Sequence, residues 1–265
     1  MSLSGWSDTV YVEHAAATAI NNLSAASIAM WWQTTSSTAR QTPLVKGSLL
    51  LIELREDLAT PTLQGFRDGV TTDSAAFANL ASFGAYATNK WLFVVFTYDG
   101  VAAGNNKLYV GDIDTSAAEP SAYTTQTAHS GGLGDDSASP IRVGRHGTTG
   151  SRQFVGPIAS LWVFNKVLST AEVIALQWGH NIARDALVRY TEYGFNGATA
   201  AQPDWSGNAG PGAVTGTPTV DVHAPKRQPF GSARRQSYIV AAAGAQGFHG
   251  ALLGGVRNVQ LGMLN

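Results

Sequence analysis

The sequence contains no cysteine among its 265 residues. Disulfide bridges, thiolate metal sites and cysteine nucleophiles are therefore excluded, and this absence fits a protein that folds in a reducing cytoplasm. There is also no apolar run of the roughly 18 residues that a transmembrane helix needs, so we expect no membrane partner. The N-terminus lacks both a basic start and a long apolar stretch, and it is a poor match to a secretory signal.

Charged residues make up only 13% of the chain, and the two signs are unevenly distributed. Up to Asp221 there are 12 basic residues against 18 acidic ones. No acidic residue follows, whereas five basic ones do: Lys226, Arg227, Arg234, Arg235 and Arg257. This asymmetry predicts either a basic tail that contacts an acidic surface or a solvated, flexible end. The acidic body and the widely spaced tail charges do not favour a nucleic-acid partner.

Short β-strand patterns fill most of the chain. Over residues 27–36 the alternation places Ile28, Met30 and Trp32 on one face of a strand. The run over 90–100 is continuously apolar, which predicts a strand that is buried on both faces. Further strands are predicted over 9–14, 48–56, 106–114, 139–146, 156–164, 186–195 and 216–223. Surface loops are expected at 35–42 and 115–130. Many short strands between Gly-, Ser- and Thr-rich loops favour an all-β sandwich.

One stretch departs from the β pattern. Ser169 and Glu172 have the spacing of a capping box, in which each side chain bonds the backbone amide of the other at the start of a helix. Leu168 can pack on Val173 across this cap, and Gly179 is suited to end the helix. A helix of two turns is too short to be stable alone, so we expect it to pack on a sheet as a structural closure.

The order of these pieces resembles the laminin-G-like or concanavalin A-like jelly-roll superfamily over about residues 8–222. The residues that carry the resemblance are Trp91, Val94, Thr97, Tyr98, Asp99, Gly100, Phe154, Gly156, Ile158, Leu168, Ser169, Glu172 and Val173. The resemblance implies a two-sheet antiparallel jelly-roll sandwich over 1–223 that one short helix closes. An extended C-terminal arm is then expected over 224–265.

The superfamily includes glycoside hydrolases, whose retaining members need two carboxylates on one face of the site. Such enzymes carry Glu-x-Asp-x-x-Glu on a strand, and the nearest match is the stretch 53–57. Arg55 stands where the aspartate is expected, and Glu53 and Glu56 fall on opposite faces of a strand, although Glu53 and Asp57 can share one. We interpret these residues as exposed, charged strand positions. No other catalytic motif is present, so we expect a protein that is not an enzyme.

Loop aromatic residues are the candidates for stacking on a sugar ring. Trp6, Tyr123 and Trp205 lie in polar, loop-like surroundings. The tryptophans within strands are instead expected in or beside the core: Trp31, Trp32, Trp91 and Trp162.

Calcium is the one cofactor that the resemblance implies, since laminin-G-like domains often bind it at the rim of the sandwich. Asp112, Asp114, Asp135 and Asp136 are the candidate oxygen ligands in or near loops. No EF-hand pattern accompanies them, and solvated loop carboxylates are the alternative interpretation.

The stretch after residue 223 is too apolar for an ordinary disordered tail and too rich in glycine for an independent domain. We expect it to dock on another protein or a second copy, or else to wrap its own sandwich. The candidate docking residues are Arg234, Arg235, Tyr238, Ile239, Phe248, Leu252 and Leu253.

Three functions remain open. The resemblance favours a virion protein of a tailed bacteriophage, made in the host cytoplasm, that decorates the capsid or forms part of a tail or fibre. Its partners would be a major capsid or tail protein. The alternative is a carbohydrate-binding adhesin that recognises host glycans, and a diverged glycosidase is the third possibility.

Overall fold

A computed structural model of the chain describes residues 1–35, 39–47, 49–147 and 152–222. The chain divides into two units, Met1–Phe230 and Gly231–Asn265, and all described residues belong to the first. The predicted arm lies outside the described residues, and with it Arg234, Arg235, Tyr238, Ile239, Phe248, Leu252 and Leu253.

The described residues form fifteen strands and one α-helix. In chain order the strands are β1 (Ser2–Ser4), β2 (Tyr11–His14), β3 (Ala25–Gln33), β4 (Arg40–Lys46), β5 (Leu50–Arg55), β6 (Thr62–Arg67), β7 (Ser74–Asn79), β8 (Trp91–Asp99), β9 (Lys107–Asp112), β10 (Thr125–Thr127), β11 (Ile141–Val143), β12 (Ile158–Phe164), β13 (Leu187–Glu192), β14 (Gly212–Thr215) and β15 (Thr219–Asp221). The helix α1 spans Thr170–Gln177. No helix among the described residues is long and apolar enough to cross a membrane.

Two antiparallel sheets pack face to face. The seven-stranded sheet has the order β15-β1-β12-β3-β8-β9, with β13 also paired to β12. The eight-stranded sheet has the order β10-β7-β6-β5-β4-β11-β2-β14. This architecture confirms the predicted all-β, two-sheet jelly-roll sandwich with a single short helix in its described part.

The core between the sheets follows the period-two alternation of the strands. Ile28, Met30 and Trp32 of β3 all point into this core, as the sequence predicts. From the opposite sheet, Ile52 and Leu54 of β5 meet them. The alternation therefore correctly assigns the inward face of these strands.

Helix α1 forms a third layer on the outer face of the seven-stranded sheet. The predicted capping box is present: the Ser169 hydroxyl accepts a hydrogen bond from the Glu172 amide, and the Glu172 carboxylate accepts one from the Ser169 amide. Val173 and Leu176 pack on Phe93 of β8. Strand β8 is thus buried on both faces, as predicted, because the helix covers the side that faces away from the core.

Several strands have no clear signal in the sequence. Strand β4 begins inside the stretch 35–42, which we expected to be a surface loop, and β7 is rich in alanine, a residue that is depleted in strands. On the neighbouring strand β6, a glycine is required at position 65 because Phe96 packs against it from the other sheet. A Cβ atom at Gly65 of β6 would lie 2.3 Å from that ring.

Three charged side chains are buried together near the end of the core. Asp136 lies 2.8 Å from the Lys46 ammonium and 3.2 Å from the Arg67 guanidinium, and all three are at most 3% exposed. Burial lowers the pKa of Lys46 even though Asp136 favours its charged form. One carboxylate therefore neutralises part of the charge of two buried cations.

Replacement of Asp136 by asparagine is expected to destabilise the fold by about 3–5 kcal/mol, because two buried cations would lose their counter-ion. Urea unfolding measures this change. Asp135→Asn is the matched control, since Asp135 is exposed, and we expect it to change stability by less than about 1 kcal/mol. Equal effects of the two substitutions would contradict this account of the core.

Candidate functional site

A cleft of about 570 Å³ opens on the outer face of the seven-stranded sheet, beside helix α1. Its volume is within the range of small-molecule sites. Four elements contribute to it: β3, β12 with β13, the end of α1 with the following segment, and the loop after β13. The lining residues are Trp31, Trp162, Phe164, Leu176, Gln177, Gly179, His180, Asn181, Ile182, Arg184, Leu187, Tyr190, Trp205 and Ser206.

A row of aromatic rings underlies the cleft. Trp162 and Tyr190 are directly paired across β12 and β13, and their rings stack with centroids 5.1 Å apart and planes 9° from parallel. Phe93 meets Trp162 edge-on at 6.4 Å, and Trp31 lies 5.3 Å from Phe93. Aromatic pairs in these offset and edge-on arrangements stabilise one another. The floor of the cleft is therefore apolar and fixed by packing.

Trp205 stands at the rim and is 51% exposed. Its backbone amide donates to the Tyr190 carbonyl at 2.7 Å, which ties the loop to the end of the aromatic row. Its ring packs edge-on against Phe195 at 5.3 Å, and Phe195 is itself 54% exposed. Exposed aromatic side chains next to a cleft are typical of ligand contact surfaces.

Asp204 holds the turn that presents Trp205. Its carboxylate accepts hydrogen bonds from the backbone amides of Tyr190 and Ala209, each at 2.9 Å, and from the Ser206 hydroxyl. An aspartate that bonds amides of its own turn replaces the backbone partners that a loop otherwise lacks. The position of the Trp205 backbone is therefore set before any ligand arrives.

Arg189 anchors the same loop from inside the sandwich. Its guanidinium is fully buried and donates to the Gly210 carbonyl at 3.2 Å and to His14 Nδ1 at 2.7 Å. Since arginine can only donate, His14 accepts at Nδ1 and carries its proton on Nε2. That nitrogen lies 3.0 Å from the Tyr193 hydroxyl. Burial, and then the charge of Arg189, hold the pKa of His14 well below its usual value.

The opposite wall is the segment between α1 and β13. Gly179 ends the helix at a φ of +81°, as the sequence predicts. Ala183 has a φ of +43°, a left-handed conformation that costs a non-glycine residue free energy. The side chains of His180, Asn181 and Arg184 are exposed here, and no hydrogen bond or ion pair to another described residue engages them. They are the polar groups that remain available to a ligand.

The predicted glycan-contacting residues occupy different places. Trp205 lines the cleft, whereas Trp6 is only 7% exposed, donates from Nε1 to the Gly156 carbonyl at 2.9 Å and belongs to the core. A sugar ring has no free face of Trp6 to stack on. Tyr123 is half-buried at the edge of the core, and its hydroxyl bonds the backbone of Leu108. Neither residue lines the cleft.

The predicted calcium ligands are engaged with protein groups. Burial would raise the pKa of Asp112, but hydrogen bonds from the amides of Asp114 and Thr115, at 2.8 and 2.6 Å, outweigh it and lower that pKa. Asp135 accepts from the Asn22 side chain and the Ser137 amide, which lower its pKa to about 2.

Asp136 is buried between Lys46 and Arg67. The described residues contain no group of three or more acidic, histidine or cysteine side chains that could hold a metal ion. The four aspartates are therefore not gathered into one oxygen-ligand site within this part of the chain.

Two of the three carboxylates at 53–57 are buried, so their interpretation as exposed strand positions is wrong, whereas Asp57 is exposed. Glu53 is 1% exposed and receives two hydrogen bonds from Arg40, at 2.6 and 2.7 Å. Glu56 is 7% exposed and accepts from Gln41 and Tyr86, while burial raises its pKa. Each carboxylate has its own partners on its own side of β5.

Most of the cleft was not identified from the sequence. Its position in a strand predicts that Trp162 lies in or beside the core, and no pattern in the sequence marks Tyr190 as a site residue. Alternation does place Trp162 opposite to its core-facing neighbours Leu161 and Val163. Its pairing with Tyr190, however, depends on the register of two strands that are distant in sequence.

The lowered pKa of His14 predicts that the stability of the fold depends on pH. Its pKa is lowered in the folded protein, so below about pH 6.5 the unfolded chain takes up a proton that the folded protein does not. Stability therefore falls as the pH falls through this range, by up to about 1.4 kcal/mol per pH unit from this group. His14→Gln keeps an acceptor and a donor but cannot titrate.

Urea unfolding of both proteins between about pH 5 and pH 8 measures this contribution. The pKa values of His129 and His146 are also lowered by burial, but both residues are present in wild type and variant. The difference between the two slopes isolates His14. If the free energy of unfolding changes equally with pH in both proteins, His14 does not resist protonation in the folded state.

Comparison with solved structures supports the fold. A protein from Bacteroides ovatus that is inferred to bind carbohydrate aligns with a TM-score of 0.59 and 16% identity, over 85% of this chain and 62% of that one. The chain thus spans less than two thirds of that relative. The carbohydrate-binding module CBM40 of a Ruminococcus gnavus sialidase, solved with sialyllactose, aligns with a TM-score of 0.43 and 15% identity, over 66% of this chain and 97% of that one.

A tailspike protein from a bacteriophage of Escherichia coli O157:H7 aligns with a TM-score of 0.46 and 12% identity, over 64% of this chain and 24% of that one. At 16% identity, the likeness to the Bacteroides ovatus protein is one of fold. No curated protein matches the sequence. The family profile described as the concanavalin A-like lectin/glucanases superfamily, a laminin-G type, matches residues 5–174. That match covers more than half of the chain, which therefore belongs to this superfamily.

Proposed function

We propose that the chain is a carbohydrate-binding protein that holds a saccharide in the aromatic cleft and has no catalytic role. The observation that carries the proposal is the convergence of Trp205, the Trp162–Tyr190 stack and three unengaged polar side chains on one cleft. This was the alternative to a virion role in the interpretation of the sequence.

The chemistry of the lining suits a saccharide. A sugar ring has an apolar C–H face and a rim of hydroxyl groups, so it needs an aromatic surface beside hydrogen-bonding groups. Trp205 and Trp162 offer that surface, and the side chains of His180 and Asn181 offer donors and acceptors.

The rigidity of the cleft favours binding. Asp204 and Arg189 fix the loop of Trp205 through hydrogen bonds, and the stacked rings of Trp162 and Tyr190 fix the floor. Side chains that are already ordered lose little entropy when a ligand arrives. A saccharide can then be held by a small number of contacts.

The state of the carboxylates supports a non-catalytic role. Retaining glycoside hydrolysis needs a carboxylate pair that faces the substrate. Glu53 is instead covered by Arg40 and Arg152, and Asp57 pairs with Arg55. These residues lie on the eight-stranded sheet or just beyond it and are not part of the cleft.

A role in a bacteriophage particle stays a prediction from the sequence resemblance. The proposed docking residues after position 223 lie outside the described part of the chain, so partners in a capsid or tail and assembly with a second copy also stay predictions. A carbohydrate-binding domain displayed on a particle would satisfy both interpretations.

Trp205→Ala is expected to weaken binding to a glycan identified on an array by at least about tenfold, because it removes the exposed aromatic surface of the cleft. Isothermal titration calorimetry measures the affinity. The fold should be preserved, since half of the Trp205 side chain is already in solvent.

Phe66→Ala is the matched control. Phe66 is a half-buried aromatic residue on the outer face of the eight-stranded sheet, and its loss should leave the affinity unchanged. If Phe66→Ala weakens binding and Trp205→Ala does not, the saccharide binds on the other sheet and the cleft is not the site.

A further inference from the structure

The charged side chain that lines the cleft, Arg184, is positive. No aspartate or glutamate lines it, whereas Arg184 does, and the exposed guanidinium of Arg184 makes no ion pair with another described residue. A ligand in the cleft therefore meets a cation that has no counter-ion among the described residues.

Two of the three carboxylates near the cleft in the sequence are engaged with other groups. Asp204 accepts hydrogen bonds from two backbone amides and from Ser206, which it holds in its own turn. Glu192 accepts a hydrogen bond from the Tyr190 hydroxyl, at the outer end of that ring. Asp185 follows Arg184 in the sequence but does not line the cleft. None of them is placed to neutralise Arg184 within the cleft.

This local charge is opposite to that of the rest of the sandwich. Up to Asp221 the chain holds 12 basic residues against 18 acidic ones, and the other described arginines on the surface are largely paired, as Arg40 is with Glu53 and Arg142 with Glu13. Arg184, which forms no ion pair within the described part of the chain, therefore stands out from its surroundings at the aromatic cleft.

We propose that the cleft selects acidic saccharides, those with a carboxylate or sulfate group, and that Arg184 is the residue that determines this selectivity. The inference rests on the proposed function. The guanidinium presents a planar set of N–H donors that matches a carboxylate or sulfate edge with two parallel hydrogen bonds. The sugar ring stacks on Trp205 while its acidic group meets Arg184.

The direct test uses pairs of oligosaccharides that differ only in charge. Oligogalacturonate and its methyl ester have the same rings, and esterification removes the negative charge. A wider panel adds other acidic oligosaccharides, each with its neutral counterpart. Affinities are measured by calorimetry for the wild type, Arg184→Gln and Arg184→Lys.

We expect the wild type to prefer the acidic member of a bound pair by about tenfold or more, as for a charge-assisted hydrogen bond. Arg184→Gln should abolish this preference while weak binding of the neutral member persists, and Arg184→Lys should retain part of it. Arg55→Gln is the control, because it removes the same charge from the other sheet. Arg55→Gln should change neither the affinities nor the preference for the acidic member.

The outcomes separate this inference from the proposed function. If neutral and acidic members bind equally, or if Arg184→Gln leaves the preference intact, the inferred selectivity is overturned while carbohydrate binding stands. Binding of the neutral members alone would also overturn the inferred selectivity and leave carbohydrate binding standing. If no member binds, the proposed function fails, and the inference fails with it.

Discussion

The architecture depends on the need to cover an apolar surface on both sides of the seven-stranded sheet. One side faces the eight-stranded sheet, and the other carries Trp31, Phe93, Trp162 and Phe164. Helix α1 has eight residues and is about 12 Å long, whereas the sheet is six strands wide, because β1 and β13 share one side of β12, and spans roughly 24 Å. The helix cannot cover the whole face. The aromatic cleft is the part that remains open beside it.

Buried polar groups hold the walls of this cleft in place. Residues 203–210 of the loop that carries Trp205 are exposed or half-buried, and hydrogen bonds to Asp204 and Arg189 hold this loop in place. A buried arginine costs free energy unless its donors are satisfied. Here the two Nη atoms donate to a carbonyl of that same loop and one of them donates to a neutral histidine from the other sheet, whereas the buried Nε has no hydrogen-bond partner among the described residues. The stability of the sandwich and the geometry of the cleft are thereby linked.

Local sequence patterns predict much of this fold and little of its cleft. Alternation identifies β3 and β8, and the capping box of Ser169 and Glu172 identifies the helix, since both signals depend on neighbouring residues alone. The sequence predicts that Glu53 is exposed, because its partner Arg40 lies on a different strand and is not recognisable from neighbouring residues. The sequence predicts Trp6 in a polar loop, but in the structure its ring packs under Gly144. Contacts between segments that are distant in sequence determine whether these two residues are buried.

Amide hydrogen exchange with and without a bound oligosaccharide tests the central claim that the face left open beside α1 is the binding surface. The account predicts slower exchange over residues 179–187 and 204–212 when the saccharide is bound, because these segments form the two walls of the cleft. Slower exchange confined to the strands of the eight-stranded sheet would contradict it. The saccharide would then bind on the opposite side of the sandwich.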